Sequence, residues 1–148
     1  MLPKILIDYA EEIKDAIISS ELFDTDLQGA CGIASLELFK FAQQNNINLE
    51  FCYVGNALSG CHCFNLYQDS ILDITAGQFD RQYKGKLAIL PETEAKARSF
   101  WRYSHKASNL SEFAAIDIKF IQFETWYSQN PYRYSFTRNK EDKLTFSS

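Results

Sequence analysis

The sequence predicts an α+β fold in which helices pack on an antiparallel sheet. Two segments, residues 4–20 and 30–42, have the composition and spacing of helices, and three short segments between residues 49 and 75 have strand character. The chain has 148 residues, of which 46% are hydrophobic, enough for one hydrophobic core. We therefore expect a single domain covering residues 1–148.

Both predicted helices lie in the first third of the chain. In Lys4–Ser20, apolar residues recur at the spacing of one helix face and most charged residues fall elsewhere. The apolar residues are Ile5, Tyr9, Ile13, Ala16 and Ile17. The run Ala30–Ala42 is rich in helix formers and is followed by Asn45-Asn46, so it predicts a second helix with Cys31 in its first turn.

The three predicted strands are Leu49–Val54, Cys61–Tyr67 and Ser70–Thr75, separated by segments with turn character. If Gln68-Asp69 forms a two-residue loop, the second and third strands pair as a hairpin. An antiparallel sheet is the simplest arrangement of the three.

The C-terminal half gives weaker signals. Glu92–Tyr103 is predicted to be helical, Ile116–Phe123 could form a further strand, and the last ten or so residues are expected to fray. Aromatic residues crowd this region: Phe113, Phe120, Phe123, Trp126, Tyr127, Tyr132, Tyr134 and Phe136. We expect them to form core and groove wall, with any exposed part available to a partner or substrate.

Composition excludes several classes of partner. The net charge of −4 and the pI of about 5.2, with scattered basic residues, argue against nucleic acid. No apolar stretch is long enough to span a bilayer, so a membrane is not an expected partner. The start of the chain lacks the features of a signal peptide, which predicts a cytoplasmic protein or export by a route without one. The four cysteines lack a disulfide-framework spacing and are expected to be reduced.

The first chemical feature is Cys31 at a predicted helix N-terminus. Only the thiolate of a cysteine is a strong nucleophile, and the partial positive charge of a helix N-terminus favours that form. Gly29 and Gly32 permit tight backbone geometry and leave room for a substrate. The backbone N–H of Cys31 could stabilise an oxyanion, and the side-chain amide of Gln28 could give a second donor.

A nucleophilic thiol needs a base, and His62 on the second predicted strand is the candidate. Asp73 on the third strand is the candidate that orients it. In the hairpin register set by Gln68-Asp69, Asp73 lies opposite Phe64, so His62 and Asp73 are diagonal neighbours on one face, about 7–8 Å apart at Cα. A loop one residue longer or shorter would send Asp73 to the other face.

Each of these residues also has a structural interpretation. Taken alone, Cys31 is more often a small core residue, His62 a buried strand histidine bonded to a carbonyl, and Asp73 a turn cap. Their conjunction favours the catalytic interpretation.

The tripeptide Cys61-His62-Cys63 raises the question of a metal site. Neighbouring residues on a strand point to opposite faces, so His62 does not easily share a site with either cysteine. We therefore predict no metal and no cofactor. His105, near the end of the predicted helix Glu92–Tyr103, is interpreted as a surface or cap residue.

Three segments resemble the papain-like and transglutaminase-like cysteine protease superfamily. They are Gln28–Leu36, His62–Asn65 and Ile71–Phe79, the last containing Asp-x-Thr-Ala-x-Gln-Phe, and they follow the Cys, His, Asp order of that group. The resemblance spans roughly a third of the chain. Bacterial members of the group include cysteine proteases, deamidases and toxin or effector domains.

The resemblance implies a papain-like core with the nucleophile at the N-terminus of a helix packed on an antiparallel sheet. Cys31 would be the nucleophile, His62 the general base and then acid, and Asp73 the orienting residue. The implied function is thiol-dependent acyl transfer on an amide, as a cysteine protease or a glutamine deamidase or transglutaminase. The implied partners are a protein or peptide substrate and a cognate inhibitor or partner protein. A small-molecule acyltransferase and a non-enzymatic papain-like binding module remain the alternatives.

Two departures from the superfamily pattern concern the residues after the histidine. Phe64 stands where tryptophan is frequent, and Cys63 directly after the histidine is unusual; both bear on the substrate pocket. A second match, Leu58-Ser59-Gly60-Cys61, resembles a short signature of bacterial glutamine deamidase toxins and would make Cys61 the nucleophile. That family needs a histidine about a dozen residues later, where this chain has Asp73.

Overall fold

The computed structural model, which describes residues 1–24, 27, 29–57, 60–115 and 134–148, contains two long helices and a five-stranded antiparallel sheet. The helices are α1 (Lys4–Ser20) and α2 (Cys31–Gln44). The strands are β1 (Glu50–Ala57), β2 (Gly60–Tyr67), β3 (Ser70–Asp73), β4 (Ala88–Pro91) and β5 (His105–Ala107), in the sheet order β4-β3-β2-β1-β5. Short helical elements are α3 (Glu92–Ala95) and the 3₁₀ turns Ala76–Gln78, Arg81–Tyr83 and Ser99–Trp101.

The predicted α+β arrangement of helices on an antiparallel sheet is confirmed at this level. Helix α1 has the predicted bounds, and α2 begins at Cys31 as expected. The β2–β3 hairpin has the predicted register, with Tyr67 opposite Ser70 and Asn65 opposite Leu72. Strands β4 and β5 extend the sheet beyond the three strands predicted.

Helix α2 contributes to two hydrophobic clusters. Ala34 belongs to one with apolar residues of α1 and with Leu72 of β3. Phe39 belongs to the other, with Phe51 of β1 and Cys63 of β2. Because burial of apolar surface on both sides holds the helix, its N-terminus has a fixed position beside β2.

A third cluster contains Phe64 of β2, Ile71 of β3, and Trp101. The segment Glu92–Tyr103 also reaches this cluster. The prediction that this whole segment is helical is wrong. Helix α3 ends at Ala95, and the consecutive residues Phe100 and Trp101 are both buried. The chain leaves the helix after Ala95 and forms a 3₁₀ turn over Ser99–Trp101, with both side chains in the cluster.

The C-terminal residues form a hairpin, which corrects the expectation that they fray. Strands β6 (Ser135–Arg138) and β7 (Leu144–Ser147) pair in a separate two-stranded sheet. Leu144 and Phe146 are buried in the cluster that includes α1, which explains why this end is ordered. The predicted strand Ile116–Phe123 lies outside the described residues. Within the described part of the chain, no helix has the length and apolarity needed to span a membrane.

Candidate active site

Cys31 is the first residue of α2, and a tight turn leads into it. Gly29 has a φ of 90°, in the region that glycine adopts without a steric penalty. The backbone N–H of Ala30 bonds to the carbonyl of Leu27 at 3.1 Å, closing the turn. The cysteine therefore lies where the unpaired N–H groups and partial positive charge of the helix are strongest.

His62 and Asp73 meet as the hairpin register predicts. The pairing of β2 with β3 ends at Asn65 and Leu72, and the side chains of His62 and Asp73 approach each other just beyond it. Nε2 of His62 lies 2.6 Å from Oδ2 of Asp73, and both side chains are 0% exposed. A buried carboxylate at this distance fixes the plane of the imidazole ring.

Three donors hold the Asp73 carboxylate besides His62. Oδ1 accepts from the backbone N–H of Thr75 at 2.9 Å and from its hydroxyl at 3.5 Å, and Oδ2 accepts from Nε1 of Trp101 at 2.7 Å. Trp101 is 2% exposed, so the hydrogen bond from its indole N–H is shielded from solvent. The charge of Asp73 is thus both buried and satisfied.

His62 and Cys31 are electrostatic neighbours, and each shifts the pKa of the other. Asp73 occupies Nε2 of His62, which leaves Nδ1 as the other ring nitrogen. The side-chain amide of Gln78 lies 3.5 Å from the same Nδ1 and donates to the hydroxyl of Thr75 at 3.1 Å. Cys31, His62 and Asp73 therefore form a continuous chain of contacts in the predicted order.

The charges in this chain favour an ion pair. Burial lowers the pKa of His62, but Asp73 and Cys31 outweigh burial and raise that pKa to about 10. For Cys31, the hydrogen bond from the Cys63 side chain has the largest influence. Together with His62 it outweighs burial and holds the pKa of the thiol well below its usual range. Both shifts favour a thiolate at Cys31 paired with an imidazolium at His62.

Cys63 is a second neighbour of Cys31. From the sequence it stood out only as an unusual residue directly after the histidine. Its side chain and its backbone N–H both lower the pKa of the Cys31 thiol, and the two residues belong to one buried cluster. Side chains of consecutive strand residues point to opposite faces, yet His62 and Cys63 of β2 both interact with Cys31. Within the described residues, no group of three or more His, Cys, Asp or Glu side chains is placed to hold a metal ion.

Aromatic rings surround His62. Its ring centroid lies 4.6 Å from that of Phe79, 6.0 Å from that of Phe64 and 6.2 Å from that of Phe100. Cys31 is 7% exposed and is the one member of the triad with any exposed surface. The aromatic shell excludes water from the ion pair and strengthens the attraction within it.

Several other predicted residues lie elsewhere or outside the described residues. Gln28, the predicted oxyanion donor, is outside them, and so is the side chain of Cys61. His105 lies on β5 and not at a helix end; its Nδ1 is 3.0 Å from the hydroxyl oxygen of Ser104. Among the described residues, Cys31, Cys52 and Cys63 are not in disulfides.

The sequence did not predict that Thr75, Gln78 or Trp101 contributes to the site. Thr75 and Gln78 stand in the Asp-x-Thr-Ala-x-Gln-Phe segment quoted for the resemblance, and that segment was the signal that could have identified them. Trp101 is 28 residues from Asp73 in sequence and carries no local signal.

Comparison of this chain with protein-family models, with curated proteins and with solved structures finds no match. The geometry of the site is therefore the basis for a functional proposal.

Proposed function

We propose that this protein is a thiol-dependent enzyme of acyl transfer on amides, built on a papain-like or transglutaminase-like core. Cys31 is the nucleophile, His62 the general base and acid, and Asp73 the orienting carboxylate. The observation that supports this most strongly is the buried 2.6 Å contact from His62 to Asp73, with Cys31 near enough to raise the pKa of the same ring. A nucleophile, a base within reach and a third group that orients the base are the parts that covalent acyl transfer needs.

The reaction begins with the thiolate of Cys31. It attacks the carbonyl carbon of a peptide bond or a glutamine carboxamide, and a C–S bond forms. The imidazolium of His62 gives its proton to the leaving nitrogen, the C–N bond breaks and a thioester remains. Water or an acceptor amine then attacks the thioester while His62 takes its proton, and the thiolate leaves.

The acceptor decides the outcome. Water gives proteolysis when the leaving group is a peptide amine, and deamidation when it is ammonia from glutamine. An amine gives cross-linking or transfer to a small molecule. The negative charge on the carbonyl oxygen is stabilised in this proposal by the backbone N–H of Cys31, one of the N–H groups without an acceptor inside the helix. Gln28 remains the predicted second donor.

One observation favours a second candidate, a non-enzymatic papain-like module that binds a protein partner. His62 and Asp73 are 0% exposed and Cys31 is 7% exposed, so the triad is enclosed. A purely structural triad would be enclosed in the same way. The depressed pKa of Cys31 favours the enzyme, because a core cysteine without a catalytic role is normally a neutral thiol.

The two candidates are distinguished by covalent trapping with a generic acylating ester such as 4-nitrophenyl acetate. We expect mass spectrometry to locate a hydroxylamine-sensitive acyl group on Cys31 in the native protein and none after Cys31→Ala. Cys52→Ala is the matched control, since Cys52 is also a buried free thiol. Acylation that persists in Cys31→Ala, or that occurs equally at Cys52, would contradict the proposal.

The substrate class can be approached by expressing the native and Cys31→Ala forms in cells and comparing their proteomes. New peptide termini in the native sample indicate proteolysis, and glutamine converted to glutamate indicates deamidation. Isopeptide-linked peptides indicate cross-linking. Identical proteomes would favour a small-molecule substrate or the binding module.

A further inference from the structure

We propose that Cys63 is a resolving thiol, which joins Cys31 in a reversible disulfide when a hydroperoxide oxidises Cys31. The pair is thus a redox modification site within the candidate active site. Formation of the bond rests on the contact between the two residues. Only its consequence, loss of acyl transfer, rests on the proposed function.

The first argument is proximity. Cys63 neighbours Cys31 closely enough that its side chain and its backbone N–H both lower the pKa of the Cys31 thiol. Both residues belong to one buried cluster, with Phe39 and Phe51, and neither is in a disulfide. To form the disulfide, the two sulfurs must move from non-bonded contact to the S–S bond length of about 2.05 Å.

The second argument is selectivity between the cysteines of the sheet. Cys52 lies on β1 opposite Phe64 and belongs to the cluster on the other side, with Phe64 and Trp101. Burial raises the pKa of the Cys52 thiol and keeps it protonated. Cys63 is therefore the described cysteine placed to react with Cys31, and Cys52 is its natural control.

The chemistry balances with a hydroperoxide as the oxidant. The thiolate of Cys31 attacks the terminal oxygen, an S–O bond forms, the O–O bond breaks, and the imidazolium of His62 protonates the departing alkoxide. Cys31 is now a sulfenic acid, oxidised by two electrons. The sulfur of Cys63 then attacks it, the S–S bond forms, the S–O bond breaks, and the thiol proton of Cys63 leaves with the hydroxide as water.

The disulfide has two consequences for the site. Cys31 can no longer attack a carbonyl, so acyl transfer stops until a dithiol reductant restores both thiols by exchange. The bond also removes the sulfenic acid before a second peroxide can convert it irreversibly to sulfinic acid. Cys63 would thus make the oxidative inactivation of Cys31 reversible.

The test treats the native protein with hydrogen peroxide, blocks remaining thiols with N-ethylmaleimide and maps peptides by mass spectrometry without reduction. We expect a linked peptide pair containing Cys31 and Cys63. We also expect iodoacetamide labelling of Cys31 to be lost after peroxide and restored by dithiothreitol. Cys52→Ala should behave as the native protein does.

Cys63→Ser keeps a hydrogen-bond donor beside Cys31 but cannot form the bond, and Cys63→Ala serves if the serine variant does not fold. In either variant we expect Cys31 to proceed to sulfinic acid, with labelling that dithiothreitol does not restore. A native protein without the linked pair, or full recovery in the Cys63 variants, would overturn the inference. If the pair is absent while Cys31 is still acylated by the ester, only this inference fails. If the pair forms but Cys31 is not acylated, only the proposed function fails.

Discussion

Asp73 shows how much of the site depends on single atoms. One carboxylate oxygen faces both His62 and the indole of Trp101, and the other accepts from Thr75. This arrangement keeps the negative charge of Asp73 against the ring. That charge is the largest influence that raises the pKa of His62.

The first prediction concerns Asp73→Asn. An amide carries no charge and must turn an NH₂ group toward one of the donors, so the pKa of His62 falls and the ring loses its orientation. We expect the rate of Cys31 acylation at pH 7 to fall by about 10²–10⁴-fold. The measurement is the acylation rate by stopped-flow or mass spectrometry, with circular dichroism to verify folding. A folded variant that acylates at the native rate would show that Asp73 is not the orienting residue.

Above the residue scale, Asn65 couples helix α2 to the sheet. Its Nδ2 donates to the carbonyl of Ser35 in α2 at 3.2 Å and to the carbonyl of Glu50 in β1 at 3.3 Å. The side chain is buried, so both bonds form away from bulk water. Asn65 therefore helps to fix the position of α2, and with it Cys31, relative to β2.

The second prediction compares two changes at Asn65. Asn65→Ala leaves two carbonyl groups without this donor and should lower the free energy of unfolding by about 1–3 kcal/mol. Asn65→Asp keeps the shape but sets a carboxylate against the same two carbonyls, so the loss should be larger. Urea denaturation followed by fluorescence measures both. An aspartate variant as stable as the native protein would rule out this bonding role.

The elements themselves differ in how far the sequence determines them. The apolar spacing of α1, the helix formers of α2 and the two-residue loop at Gln68-Asp69 are local signals, and each predicted its element correctly. The position of His62 relative to Asp73 followed from the hairpin register alone. Local signals suffice where neighbours in sequence are also neighbours in space.

Long-range contacts set the parts that the sequence did not predict. The bond from Trp101 to Asp73 and the packing of Phe146 on α1 join distant residues, so no local pattern indicates them. The contact between Cys63 and Cys31 depends on how α2 docks on β2. Strand alternation concerns only the residues of the strand itself, so it does not predict a contact with a residue that approaches from another element.

At the scale of the whole molecule, the C-terminal hairpin of β6 and β7 packs against α1. Phe146 packs against the rings of Phe136 and Tyr134, with centroids 4.7 and 5.3 Å away, inside the cluster that includes α1. Arg138 also forms an ion pair with Glu12 of α1 at the surface. Apolar burial and a partly exposed ion pair thus act at the same interface, and their contributions can be separated.

The third prediction compares Phe146→Ala with Arg138→Gln. Removal of the buried ring should lower the free energy of unfolding by about 3–5 kcal/mol. Loss of the partly exposed ion pair should cost less than about 1 kcal/mol, because solvent screens it. Thermal and urea denaturation measure the difference. Equal losses in the two variants would mean that the hairpin is held by charge and not by its apolar face.

The central claim, that Cys31 is a nucleophile activated by His62, is tested most directly by the pH dependence of Cys31 alkylation with iodoacetamide. A depressed pKa keeps the thiolate populated as the pH falls, so the rate in the native protein should stay nearly constant from pH 9 to below about pH 7. In His62→Ala the cation is lost, the pKa of Cys31 rises, and the rate should fall about tenfold per pH unit below about pH 8.5. A native protein whose Cys31 already follows the ordinary thiol profile, unchanged by His62→Ala, would contradict the account.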